Sequence, residues 1–421
     1  MNAWFRFCRR ERNLEVTLFG VSATLAGAIM WFGGAGAGNI FVRLFFPLLV
    51  VAILIGSYRV FEQRTGRKLA PIAYVFFFAV SATSYIGATQ TLTGSHAEST
   101  NAFLWGLSFY SASIAFSLYQ GQPGNALKIA NPLLLFTGPI LTRSGWNRQS
   151  SVRRRIYRYV PYLVVGIFFF AMLGFQLGRF LWMINLVGFW EVMFFAGVFE
   201  LFVYFNFAGL SLIVYAGLGL VGFSVPLNFR QPFSSRNLVE FWRGWHVSLS
   251  TVLRTLFYEP TRRRFGSSFA ILAVFLASAL WHGVTFNFLF WGTFHAFAFW
   301  VTVRLLRKDK PLAASLAMFP AIIFGRLLFS DSNTERLFSK LHLASSFEPV
   351  VYQDIHPEGW YGLVIALVIV AVEFLGARHR LVRTRNYKFL RTPLAQSVII
   401  LLLVLGLHSG GGVAYAVYGQ R

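Results

Sequence analysis

The chain of 421 residues is 56% hydrophobic and only 13% charged, with a mean hydropathy of +0.58. Soluble domains carry about 25% charged residues, so a water-soluble fold is excluded and an integral membrane protein is expected. Lys and Arg outnumber Asp and Glu 38 to 15, but the cations cluster between apolar runs, as in cytoplasmic loops, and no nucleic-acid partner is expected.

Apolar runs of roughly 20 residues, each long enough to cross a hydrocarbon core of about 30 Å, follow one another along the chain. They fall near 14–33, 40–58, 70–89, 102–119, 160–177, 183–203 and 206–223, then near 268–284, 286–306, 312–329, 360–377 and 394–416. Runs this long and continuous do not suit barrel strands. They predict an all-α, polytopic membrane bundle of about 10–12 helices with re-entrant segments. The first run lacks a small-residue cleavage site and reads as a retained span, not a cleaved signal.

Basic segments at 6–12, 59–68, 128–158 and 378–391 predict the cytoplasmic side of a cell inner membrane. Linkers 33–39 and 91–101 carry no Lys or Arg and suit the far side. Three crossings at 160–177, 183–203 and 206–223 would then put the basic segment 228–264 outside. One of the three is expected to re-enter, or the basic segment to dip into the membrane. The acidic stretch 330–358 is expected outside. No linker or repeat divides the chain, so a single domain, 1–421, is expected, with its core at 236–300.

The one cysteine, Cys8, excludes an intramolecular disulfide and a multi-thiolate metal site. Ionisable residues within the apolar runs are Arg43, Glu191, Glu200, His282, His295, Arg326, Glu373 and His408. Each costs about 2.5–3.5 kcal/mol at a helix centre on insertion scales and is a functional candidate by default. Arg43, Arg326 and Glu373 lie near span ends, where snorkelling is the simpler reading. Glu200 either pairs with a buried arginine or serves near a reaction site. His408 heads a glycine-rich HSGGG and suits a helix cap.

His282 stands between Trp281 and Gly283 with no obvious local partner, and the glycine would let a substrate approach. From spacing alone, a hydrogen-bonded core histidine remains open. His295, 13 residues on, falls roughly 220° around an uninterrupted helix, so the two would not share a face. No H-x-x-x-H or H-E-x-x-H occurs, so no metal site is expected.

Segment 236–264 behaves unlike a span. Its cations alternate with Phe241, Trp242, Trp245, Leu249, Leu253, Leu256 and Phe257, and positions 242, 245, 249, 253 and 256 follow helical spacing. It reads as an interfacial amphipathic helix, a basic floor for a phosphate-bearing thioester donor, or both.

The run FWRGWHVSLS at 241–250, followed by LWHGVTFNFLFWGTFHA at 280–296, resembles the signature of the membrane-bound O-acyltransferase (MBOAT) superfamily. The resemblance is to the bacterial branch that serves alginate O-acetylation and teichoic acid D-alanylation. LSFYSASIAFSLYQG from Leu107, NPLLLFTGPI from Asn131, VYFNFAGLS from Val203, VPLNFRQPFSSRNLVEFW and the ending YAVYGQR extend it over about 100–421. Three positions depart from the branch: Asn206 replaces aspartate, YEPTRRR from Tyr258 replaces Y-x-P-L-G-G, and Gly244 replaces arginine or asparagine.

The resemblance implies an MBOAT fold and acyl transfer from a cytoplasmic thioester toward a hydroxyl of a cell-envelope polysaccharide. It makes His282 the catalytic histidine and His246 the second active-site histidine. Trp242, Arg243, Trp245, Ser248, Arg254, Trp281, Gly283 and Asn206 complete the expected substrate-binding set. The donor would be acetyl-CoA or an acyl carrier protein phosphopantetheine thioester, with no permanently bound cofactor. Partners would be membrane lipid and a periplasmic or extracellular acyltransferase- or esterase-like protein. Acetyl is the first choice of acyl group and D-alanyl the alternative. A transporter or channel and a scaffold for partner enzymes are the competing classes.

Overall fold

Where the described residues cover the apolar runs, each run is helical. The computed structural model describes residues 11–32, 60, 62–65, 112–113, 116, 131–135, 140, 145–146, 151–184, 186, 188–283, 285–331, 333–344, 357–379 and 385–407. The spans expected at 40–58, 70–89 and most of 102–119, together with Cys8, Arg43, His408 and the ending YAVYGQR, lie outside them. The described chain gathers into two compact units, 1–160 with 214–226, and 161–213 with 227–421. The chain passes between them within helices at 160/161 and 213/214 and in an irregular segment at 226/227.

In the first unit, α1 (Glu11–Phe32) carries Ser22, whose hydroxyl accepts a 2.7 Å hydrogen bond from Asn131 Nδ2. Asn131 Oδ1 in turn accepts from Leu133 N at 3.0 Å and starts the short 3-10 turn Pro132–Leu135 of the NPLLL run. Both polar side chains are buried and each answers the other. A two-residue antiparallel ladder pairs β1 (Gly145–Trp146) with β2 (Phe223–Ser224).

The helix α2 (Val152–Ile167) runs through a π-helical turn, Phe168–Gly174, into α3 (Phe175–Met183). Then comes α4 (Phe189–Val221), 33 residues without a break. The sequence suggested two spans here, at 183–203 and 206–223. They are one helix because residues 203–206 hold no proline, glycine or cluster of turn formers to end it. Between residues 160 and 223 the chain therefore crosses twice, not three times, and the charge alternation needs no re-entrant segment there. Small residues bring helices together in the second unit. A Cβ on Gly166 would lie 2.9 Å from Ile213 N, and one on Gly174 would lie 3.3 Å from Asn206 Cα.

The site is built by α5 (Leu238–Gly244), α6 (Val247–Leu253), a π-helical turn Arg254–Tyr258, and α7 (Glu259–His282). These are followed by α8 (Phe286–Arg307), α9 (Pro311–Leu316), α10 (Met318–Phe329) and α11 (Thr334–Leu343). The last two long helices are α12 (Pro357–His379) and α13 (Pro393–Leu407).

Among the described residues, five helical stretches, 152–181, 189–221, 247–282, 286–307 and 311–329, are long and apolar enough to cross a membrane, and the chain is a multi-pass membrane protein. The third is not one straight rod. Gly266 has φ 85° and ψ 176°, a conformation only glycine adopts readily, and it kinks α7. On one side lie the exposed Arg262, Arg263 and Arg264. On the other, 267–282 is the apolar crossing expected from sequence. α7 and α8 then pack as a hairpin: a Cβ on Gly292 would stand 2.8 Å from Ala279 Cβ.

The acidic stretch begins with a paired charge. Asp331 is buried and paired with Arg336 at 2.7 Å and Lys340 at 3.1 Å. Its charge is neutralised locally.

Candidate active site

His246 sits in a corner that the chain has to be held in. Asn237 caps α5 by accepting from Glu240 N at 3.0 Å, while Glu240 Oε2 reaches back to Arg236 N at 2.9 Å, a reciprocal cap. After α5 the chain passes through extended Trp245 to His246, which is left-handed at φ 43°, ψ 57°. A non-glycine residue there costs roughly 1–2 kcal/mol, so its surroundings must enforce it.

Asn228 does so. Its carbonyl accepts from Val247 N at 2.8 Å, and its Oδ1 accepts from Ser248 N at 3.1 Å and Ser248 Oγ at 2.8 Å. Its Nδ2 donates to Ser211 Oγ at 3.3 Å on α4. The His246 ring caps α6, with Nδ1 accepting from Leu249 N at 3.3 Å. A neutral imidazole that accepts at Nδ1 carries its proton on Nε2. His246 is therefore set up as a donor.

His282 is the last residue of α7, ended by Gly283 at φ 155°, ψ 158°. Its half-buried ring meets Phe329 at 4.7 Å, Trp281 at 4.8 Å, Trp291 at 5.8 Å and Phe288 at 6.0 Å between centroids. The His246 ring meets Trp281 at 6.0 Å from its own side. One indole therefore contacts both imidazoles, which places the two histidines in one site.

His295 joins the same site. The break at 283–285 ends the helix count that set it apart, and Trp291 contacts both His282 (5.8 Å) and His295 (5.1 Å). Trp242 lies 4.9 Å from the His295 ring and 5.9 Å from Trp291. The backbone of α10 closes over His295: a Cβ on Gly325 would run into Nε2.

Two ionisable residues expected to snorkel do not. Arg326 is buried and ion-paired with Glu200 of α4, which is one of the two roles the sequence left open for Glu200. Glu373 of α12 is wholly buried and accepts from Tyr204 Oη at 3.0 Å. Tyr387, whose N donates to Gln231 Oε1 at 2.8 Å, reaches Tyr204 Oη at 3.5 Å. Both side chains reach partners on other helices, an ion pair for Arg326 and a hydrogen bond for Glu373, and stay buried instead of stretching toward water.

The sequence profile of MBOAT, the membrane-bound O-acyltransferase family, matches residues 72–311. The chain belongs to this family. The match takes in His246, His282 and His295, while Arg326 and Glu373 lie beyond it. Among MBOAT relatives, the "Probable alginate O-acetylase AlgI" of Azotobacter vinelandii is 33% identical over 180 residues, 40% of this chain and 35% of that protein. A teichoic acid D-alanyltransferase of Streptococcus thermophilus is 33% identical over 125 residues, 27% of this chain and 30% of its own. A peptidoglycan O-acetyltransferase of Helicobacter pylori is 33% identical over 100 residues, 23% and 19% respectively. The chain spans about a third of the length of curated relatives it matches, 35% and 36% for two alginate O-acetylases.

Around these histidines the expected substrate-binding residues divide into groups. Trp242, Trp245, Trp281 and Gly283 line or border the aromatic cluster around the histidines. Ser248 is drawn into the Asn228 clamp, and its hydroxyl orders the turn. Arg243 and Arg254 lie on the exposed face, Arg254 in a 3.6 Å pair with Glu259. Asn206 is at the α3–α4 approach, its backbone against Gly174. Glu191 accepts from Gly188 N at 3.1 Å and caps α4. Among the described residues no group of three or more His, Cys, Asp or Glu comes together to hold a metal. Asn228 and Phe329 were missed. An asparagine before an aromatic carries no periodic signal, and Phe329 is one of 48 phenylalanines.

Proposed function

We propose that this chain is an O-acyltransferase of the inner membrane. It moves an acyl group, acetyl as first choice, from a cytoplasmic phosphopantetheine thioester toward a hydroxyl of an envelope polysaccharide, directly or through a periplasmic or extracellular partner protein. The observation that carries this reading is the Trp281 indole in contact with both His246 and His282, inside the MBOAT-matched region.

The hydroxyl oxygen attacks the thioester carbonyl carbon while His282 takes the hydroxyl proton. The C–S bond then breaks, and the proton passes from the imidazolium to the leaving sulfur, so thioester and alcohol become ester and thiol. General-base help of this kind is worth about 10²–10⁴-fold. His246, with its proton on Nε2, donates toward the developing oxyanion. Gly283 removes a side chain that would crowd the approach to His282. Arg243 and Arg254, exposed on the basic face, meet the phosphates of the donor. Core 236–300 is the catalytic part of one membrane domain.

The D-alanyl alternative keeps the same chemistry with a carrier-protein donor and is favoured by the similarity to two teichoic acid D-alanyltransferases. The deciding experiment feeds radioactive acetyl-CoA to membranes bearing the wild-type or His282→Ala chain and its envelope acceptor. Label on glycan from the wild type alone supports acetyl transfer. Label only from a D-alanyl carrier thioester shifts the reading to the alternative. No wild-type label on glycan from either donor rejects acyl transfer.

A further inference from the structure

Against the rings beside the two histidines lies a buried charge that the acyl-transfer chemistry does not use. Arg326 of α10 is 8% exposed and paired through Nε with Glu200 of α4, itself 3% exposed. The guanidinium carbon stands 5.4 Å from the Trp245 ring and 5.2 Å from the Phe329 ring. Trp245 directly precedes His246 in the left-handed corner, and Phe329 is 4.7 Å from His282. One planar cation thus touches the neighbour of each histidine.

Stability alone does not explain it. A buried ion pair gains little over well-packed apolar side chains of similar volume, and Glu200 Oε1 has no hydrogen-bond partner among the described residues. Geometry does explain it. A guanidinium can donate in its plane to a carboxylate while its faces lie against aromatic rings, which a lysine ammonium cannot reproduce. Glu200 stands four residues before Tyr204, so on α4 the two share a face. Tyr204 lies 6.2 Å from the same Trp245 ring and is fixed by Glu373. Trp245 is therefore held from two sides by polar groups rooted on three helices.

We propose that Arg326, held by Glu200, is a positioning residue that ties the Trp245–His246 corner to the Phe329–His282 wall and so sets the spacing of the two histidines. This rests on the acyl-transfer reading for its kinetic consequence, but not for the tie itself.

The test uses the full chain in lipid nanodiscs with three variants: Arg326→Lys, Glu200→Gln, and the charge-free pair Glu200→Gln/Arg326→Met. Thermal unfolding, hydrogen exchange over 244–253, and acyl transfer from acetyl-CoA or a D-alanyl carrier thioester are followed. Arg326→Lys is expected to exchange at least tenfold faster at 244–253 and to lose about tenfold in kcat, with donor KM within twofold and the unfolding midpoint near wild type. The charge-free pair folds and stays as slow as Arg326→Lys, because apolar packing replaces the stability but not the tie.

Wild-type exchange at 244–253 in Arg326→Lys overturns the positioning role, as does full kcat in the charge-free pair. So does a kcat loss that merely follows a lowered unfolding midpoint. Failure of the wild type to acylate with either donor overturns the proposed function, a different outcome that leaves the exchange measurement to decide the tie.

Discussion

The two histidines stand at opposite ends of helices, both against aromatic rings, but among the described contacts only His246 has a hydrogen bond to its ring. His246 opens α6 and is fixed by hydrogen bonds, with four from or to Asn228 around the corner and one from Leu249 N to its own ring. His282 closes α7 and is surrounded by rings, with Phe329, Trp281, Trp291 and Phe288 between 4.7 and 6.0 Å. Hydrogen bonds commit a ring's nitrogens, whereas aromatic walls leave them to the substrate. The difference fits the proposed roles, donation by His246 and proton abstraction by His282.

That division breaks first at His282. His282→Gln is expected to lower acyl transfer by at least about 100-fold, the range for loss of a general base, with the unfolding midpoint unchanged. His246→Gln keeps a side-chain donor, so its loss should stay near tenfold. Equal losses in a side-by-side rate measurement would contradict the assignment.

The next largest effect tests what holds the His246 corner. Asn228→Ala removes two buried hydrogen bonds, those that its side chain accepts from Ser248 N and Ser248 Oγ. At about 1–3 kcal/mol for each such loss, a stability loss of about 3 kcal/mol is expected, read as a lower unfolding midpoint in detergent. His282→Gln, which keeps a side chain of similar size among the rings, should unfold close to wild type.

That the two histidines come together was legible before the structure, the contrast in how they are held was not, and the reasons for what was missed are specific. FWRGWHVSLS and LWHG name their histidines through motif, and apolar runs at 286–306 and 312–329 became helices where they stood. The division of 183–223 into two spans failed because a helix that is apolar all round gives no internal signal of where a crossing ends. Arg326 and Glu373 were assigned to the surface because distance from a span end says nothing of a partner on another helix. Glu200 is 126 residues from Arg326 in sequence, and Tyr204 is 169 from Glu373. His295 was set apart by counting residues around one helix, a method that Gly283 invalidates by ending it.

His295 therefore offers a sharper test of the aromatic side. Gly325→Ala would place a methyl group against Nε2 in a closely packed cluster, and overpacking of this kind costs about 1–3 kcal/mol. If His295 belongs with His282 through Trp291, transfer should fall several-fold beyond what the stability change predicts at assay temperature. Loss of stability with unaltered kcat would place His295 in the packing alone.

The smallest expected effect lies on the basic face, and it separates the two meanings of segment 236–264. Arg254 and Glu259 are 73% and 46% exposed in their side chains and 3.6 Å apart, so Arg254→Ala should change stability by less than about 0.5 kcal/mol. An interfacial helix that only sits in headgroups would lose nothing more. A donor floor would lose affinity for the phosphates: donor KM should rise several-fold with kcat unchanged. In the wild type KM should climb with salt, since exposed charges are screened over about 8–10 Å at physiological ionic strength. In Arg254→Ala the salt dependence should be shallower, because one of the screened charges is gone. A KM insensitive to both salt and Arg254 would leave the cations to the lipid and place the donor's phosphates elsewhere on the protein.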